Sequence, residues 1–204
     1  MHCHILPGLD DGARDDEAAL DMLRIAERDG ILTIVATPHS HHTTVDAICR
    51  QLVRVKQLAR SAGIAVDILP GSEVRIAADL VERYRAGELL TLNGTQYLLL
   101  ELHLFHDWAL EAILSVVERL VDAGLRPLLA HPERHRWVQH DPALVDRLRD
   151  AGVTLQVNAP SLFGGHGDAA QATAEFLIAT HRAGVIASDA HNAGRRSPQL
   201  SAAY

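Results

Sequence analysis

Short apolar runs alternate with amphipathic segments along the whole chain. Residues 31–37, 64–69, 97–102, 125–130, 153–157 and 185–187 are almost continuously apolar, the pattern of parallel strands buried on both faces. Between them, Ile48, Leu52, Val55 and Leu58 fall on one helical face, as do Leu110, Ile113, Leu114, Val117, Leu120 and Val121. Gly30, Gly63, Gly124, Gly152 and Gly184 each precede an apolar run, where a left-handed residue closes a helix before the next strand. With a stub at residues 3–6, about seven strands result. The pattern predicts an α/β chain folded as a distorted, seven-stranded parallel (β/α) barrel, a single domain over residues 1–204. Almost nothing precedes the stub, and no helix-forming segment follows residues 185–187. The expected barrel is therefore incomplete at both ends.

Composition narrows the function. At 204 residues and 48% apolar content, one sizeable core is affordable and two are not. A net charge of −7 argues against nucleic acid and anionic membrane surfaces, which bind basic faces. Cys3 and Cys49 are the only cysteines, so no disulfide framework is expected. No apolar stretch reaches the roughly 18 residues of a membrane span, and no signal-peptide core opens the chain. The expectation is a cytoplasmic protein.

The chemistry sits at the ends of the strands. His2 and His4, two apart on the stub, project to one side. Asp11, His39, Glu73, Glu101, His131, Asp189 and His191 each lie at or just after a predicted strand or in the loop beyond it, where a parallel barrel collects its ligands. Five histidines and four carboxylates suit two or three divalent ions at about four to five ligands each, some shared. Mixed imidazole and oxygen donors favour Mn, Fe or Zn over thiophilic ions. Arg134 and Arg195 stand on loops above this set, with Arg196 and Arg136 as alternates, and a guanidinium pairs with phosphate oxygens. Metals with arginines point to a phosphomonoester attacked in line by activated water. A phenolate leaves with little acid assistance, since a phenol's pKa is about 10.

The ordered segments His2-Cys3-His4-Ile5-Leu6-Pro7-Gly8-Leu9-Asp10-Asp11-Gly12, Ala36-Thr37-Pro38-His39, Pro70-Gly71-Ser72-Glu73, Leu99-Leu100-Glu101-Leu102, Ala130-His131-Pro132-Glu133-Arg134, Gln156-Val157-Asn158 and Ala187-Ser188-Asp189-Ala190-His191-Asn192 carry a resemblance. Together they resemble the metal-dependent tyrosine phosphatases of bacterial capsule and exopolysaccharide loci, within the polymerase and histidinol phosphatase (PHP) superfamily. That resemblance implies a distorted (β/α)7 barrel with three metals, usually manganese. His2, His4, Glu73 and Asp189 would hold one ion, Glu73, Glu101 and His131 a second, and Asp11, His39 and His191 a third. It implies phosphate contacts from Arg134 and Arg195, and a phosphotyrosine substrate on the tail of a polysaccharide-export tyrosine kinase. Family members usually carry an Asp two residues before the first His and extend past the position of Tyr204. Oligomers are compatible with the family.

Plainer readings stand beside these. His2 and His4 taken alone could be an exposed stub, Glu73 and Glu101 surface carboxylates, and Asp10 with Asp11 a simple turn, Asp10 being the bystander. The remaining histidines are expected to be mostly solvated, with His41, His42, His103 and His106 the candidates for a proton donor. Gly164-Gly165-His166-Gly167 reads as a flexible loop near the barrel mouth, Cys3 as packed and Cys49 as a small apolar helix residue. A cysteine-dependent phosphatase is excluded, because positions 9 and 55, six beyond each cysteine, are Leu and Val rather than Arg. Amidohydrolases that bridge metals through lysine are disfavoured, because the single lysine, Lys56, lies mid-helix. The alternatives left are another small phosphomonoesterase, such as one for histidinol phosphate, and an inactive remnant.

Overall fold

The computed structural model describes residues 1–104, 106 and 108–203. Strands and helices alternate except at β2–β3 and α5–α6: α1 Asp16–Arg28, β1 Thr33–Ala36, α2 Val45–Ser61, β2 Asp67–Pro70, β3 Glu73–Arg75, α3 Leu80–Arg85, β4 Tyr97–Glu101, α4 Leu110–Asp122, β5 Arg126–Ala130, α5 Arg136–His140, α6 Val145–Asp150, β6 Thr154–Asn158, α7 Asp168–Ala179 and β7 Ala183–Ala187. Every strand pairing is parallel. β1 pairs with β2, and β3 through β7 form a second sheet in sequence order.

Single bridges join the two sheets. His39, just past β1, bridges Glu73 at the start of β3, and Cys3 bridges Ala190 beyond β7. On its other side Cys3 accepts from Thr37 N–H (2.9 Å), so the N-terminal stub lies between the ends of β1 and β7.

Two strand expectations change. The stub makes one bridge rather than a named strand, and Glu73–Arg75 is a strand that the apolar pattern did not mark. β2 and β3 have no helix between them: the chain kinks at Gly71-Ser72 and exchanges its partner β1 for β4. The kink needs glycine, because a Cβ on Gly71 would sit 2.9 Å from Val35 Cγ1 and 3.3 Å from the Ala36 carbonyl. A three-residue strand begun by a buried carboxylate carries too little apolar signal to be read from periodicity.

Gly30, Gly63, Gly124 and Gly152 have positive φ and close their helices as expected. Gly184 does not. It lies inside β7, and His181 takes the left-handed position after α7 instead (φ 54).

Two large apolar layers hold the elements in place, beside a smaller cluster of Leu92, Leu99, Leu128 and Ala130. One large layer packs the stub, α1 and α2 on β1 and β2, and the other packs α3, α4, α6 and α7 on β3 to β7. On α4, Ile113, Val117 and Leu120 are buried, each contributing about 1.5–3 kcal/mol, while Val121 at the edge of that face is exposed. Lys56 is mid-α2, 3.3 Å from Asp67. Cys3 is packed, its thiol pushed up to about 12 chiefly by burial. Cys49 is exposed on α2 rather than part of its apolar face. No helix among the described residues is long and apolar enough to cross a membrane.

Candidate metal centre

The strand ends and the loops beyond them bring the nine predicted donors together. His2 Nε2 lies 3.2 Å from His4 Nε2, 3.2 Å from Glu73 Oε2 and 3.2 Å from Asp189 Oδ1. His4 Nε2 is 3.3 Å from Glu73 Oε2 and 3.5 Å from Asp189 Oδ1. His2, His4 and Asp189 therefore form one group of close donor atoms, and Glu73 Oε2 faces the same two imidazoles from its own side. The other Glu73 oxygen, Oε1, faces His131 Nε2 at 3.3 Å, beside Glu101. On the far side Asp11 Oδ1 lies 3.4 Å from His191 Nε2 and 3.5 Å from His39 Nε2. His4 is close enough to join that third group too, and His39, His41 and Glu101 form a fourth that sequence reading did not anticipate.

Hydrogen bonds behind the ligands fix their tautomers. Asn158 Nδ2 donates to Asp189 Oδ2 (2.8 Å) and Gln156 Nε2 to Asn158 Oδ1 (2.8 Å), which leaves Gln156 Oε1 as an acceptor. It faces His2 Nδ1 at 2.7 Å, so His2 carries its proton there. Asp10 Oδ2 likewise faces His4 Nδ1 at 2.6 Å. Both Nε2 atoms are thereby turned toward the same two carboxylate oxygens, where a proton or a metal cation relieves the contact. Consistently, Glu73 Oε2 is buried without a hydrogen-bond partner.

The electrostatics say the same. Burial opposes charge on His4, yet Asp10, Asp189 and Glu73 lift its pKa well above the ordinary value. His39, also opposed by burial, is raised to about 10 by Asp11 and Glu101. Burial would push Glu73 and Asp189 up, but neighbouring histidines, His2 foremost, hold both well below the carboxylate range. Protons here take the role that divalent ions would fill. Two candidate donors also sit in left-handed backbone, His131 at φ 38 and Asp189 at φ 49, strain that clusters at functional sites.

Asp10 is no bystander. Besides His4 it accepts from the backbone N–H groups of His39 (2.9 Å) and Gly12 (3.0 Å), tying the first loop to the third ligand group. Asp10→Asn is expected to weaken metal binding by about 10–100-fold, the usual loss for a group that orients a ligand, checked by competition with a chelating dye.

The whole chain, residues 1–204, matches the family profile described as capsular polysaccharide synthesis, CpsB/CapC. The chain belongs to the CpsB/CapC family. It is 33% identical to the tyrosine-protein phosphatase YwqE of Bacillus subtilis (strain 168), over 97% of this chain and 78% of that one. To the tyrosine-protein phosphatase CpsB of Streptococcus pneumoniae it is 27% identical, over 100% of this chain and 87% of the relative. A crystal structure from work on YwqE and CpsB, described as unique metal-dependent tyrosine phosphatases, superposes with a TM-score of 0.93 at 33% identity, covering 98% and 82% of the two chains.

Within this CpsB/CapC member the arginines are placed unequally. Arg196 Nη2 lies 2.9 Å and Arg134 Nη1 3.5 Å from Asp189 Oδ2, while Arg195 is exposed. Counting residues past His191 cannot tell two adjacent arginines apart; the turn in which His191 and Asn192 N–H donate to the Arg196 carbonyl does.

His135, expected among the solvated histidines, is buried. Burial, then the charges of His131 and Arg134, depress its pKa to about 3. Between about pH 6.5 and 3 the unfolded chain binds a proton that the folded chain refuses, so stability falls as pH falls, by at most about 1.4 kcal/mol per unit. Urea midpoints measured in chelator from pH 7 to 4 should show a shallower acid loss for His135→Gln than for the parent.

Proposed function

We propose that this chain is a metal-dependent phosphoric monoester hydrolase acting on phosphotyrosine in a protein, built on the distorted (β/α)7 barrel of the PHP superfamily. The observation that carries the reading is the position of Asp189. Its Oδ1 lies 3.2 Å from His2 Nε2 and 3.5 Å from His4 Nε2, while its Oδ2 receives Arg134 and Arg196, so two phosphate-binding cations flank a candidate metal-ligand set. The names of YwqE and CpsB support the same activity.

In this reading Arg134 and Arg196 hold non-bridging phosphate oxygens and orient phosphorus over the cluster. His2, His4, Asp11, His39, Glu73, Glu101, His131, Asp189 and His191 hold two or three ions, manganese first, with iron or zinc as substitutes. The ions supply a nucleophile at neutral pH and countercharge for the phosphoryl oxygens. Asp10 and Gln156 keep the His4 and His2 protons on Nδ1, away from the ions. The substrate in the cell would be the Tyr-rich tail of a polysaccharide-export kinase, which places the chain in the cytoplasm.

Stripping the purified protein with chelator and restoring manganese is expected to return hydrolysis of 4-nitrophenyl phosphate, and His131→Ala to abolish it. A folded protein without turnover at any metal concentration would overturn the assignment. A phosphotyrosine peptide should then be preferred to histidinol phosphate; the reverse order would move the reading to a small-molecule phosphatase.

A further inference from the structure

Two features remain outside that account: Glu133, a fully buried carboxylate, and the glycine-flanked His166 on the β6–α7 connection. The structure links them. Glu133 Oε1 accepts from Asn158 N–H (3.0 Å) and from the Ser161 hydroxyl (2.6 Å). Ser161 has then given its only proton to Glu133, so its oxygen must accept from His166 Nδ1, 2.9 Å away. The imidazole is thus fixed with its proton on Nδ1, and Nε2 is left for another partner.

The location is as specific as the tautomer. The connection leaves the ligand-bearing end of β6, between β5, which leads to His131 and Arg134, and β7, which leads to Asp189 and Arg196. The loop is folded tightly, since a Cβ on Gly165 would meet the Pro160 carbonyl oxygen at 2.8 Å. His166 itself is half-buried.

We propose that His166 is the proton donor to the departing ester oxygen, oriented through Nδ1 by the Ser161–Glu133 pair. The assignment rests on the phosphatase reading above. A carboxylate behind a histidine stabilises the imidazolium form, here through one intervening hydroxyl. With no phosphate bound, burial and then the charge of Arg134 hold His166 near a pKa of about 4, with Arg196 and His131 acting in the same sense and Asp189 against them. A phosphate dianion between the guanidiniums offsets their charge and favours the protonated ring.

In the step, the bond from phosphorus to the ester oxygen breaks with its electron pair on that oxygen, which takes the Nε2 proton. Phosphorus gains the oxygen of a water, and the proton released from that water to solvent balances the one His166 regains. Phenols with low pKa need this proton little; alkyl alcohols need it most.

The test compares kcat/KM on 4-nitrophenyl, phenyl and 2-glyceryl phosphates for the manganese-loaded parent and His166→Gln, with metal content and circular dichroism recorded for each. The expected loss grows with leaving-group pKa, from about threefold to about a hundredfold or more. Ser161→Ala should shift the same slope by a smaller amount, and serves if His166→Gln does not fold. An equal loss on all three esters would reduce His166 to a structural residue and overturn the proposal. A parent protein that hydrolyses none of them would overturn the phosphatase reading and this assignment with it.

Discussion

Glu73→Gln should lower phosphomonoester hydrolysis by about 10³-fold or more, a loss of about 4 kcal/mol in transition-state charge stabilisation. It should also release at least one divalent ion per chain. The reason is that Glu73 serves two ligand groups with different oxygens, Oε2 toward His2 and His4, and Oε1 toward His131. An amide offers one acceptor oxygen and a nitrogen that repels cations, so both groups lose a donor from one substitution. Metal content by mass spectrometry beside kcat is the measurement. Full metal content with unchanged turnover would show that Glu73 bridges nothing.

Arg196→Ala should cost about 10²–10³-fold in kcat/KM for 4-nitrophenyl phosphate, the usual effect of deleting one charge-stabilising donor. Arg195→Ala should stay within about threefold of the parent, because Arg195 faces solvent while Arg196 reaches Asp189 Oδ2 at 2.9 Å. Inhibition by inorganic phosphate should weaken in parallel for Arg196→Ala only. The opposite ranking would return the phosphate contact to Arg195 and require the turn after His191 to be rearranged in solution.

The parallel pairing and most strand positions were legible in the sequence because long buried strands are apolar throughout and their helices end on glycine. β3 was not legible. Its three residues are a strand only because Pro38 and His39 on one side and β4 on the other supply partners. The nine donors could be found as residue types at strand ends, since that placement follows from parallel topology. Asp10 looked like a turn residue next to the more interesting Asp11, because local sequence contains no record of His4 Nδ1 2.6 Å away. His135 looked solvated for the same reason: its burial is set by how the segment after β5 folds onto α7.

Chain order alone therefore determined the class of fold, the inventory of candidate metal donors and the presence of arginines beside them, since these depend on periodicity, residue chemistry and strand-end position. Tertiary structure decided which oxygen of Glu73 meets which histidine, that Arg196 rather than Arg195 meets Asp189, and that a buried Ser161–Glu133 pair stands behind His166. Each of those outcomes turns on contacts a few ångströms long between residues far apart in sequence, where one residue of register or one rotated loop exchanges the partner.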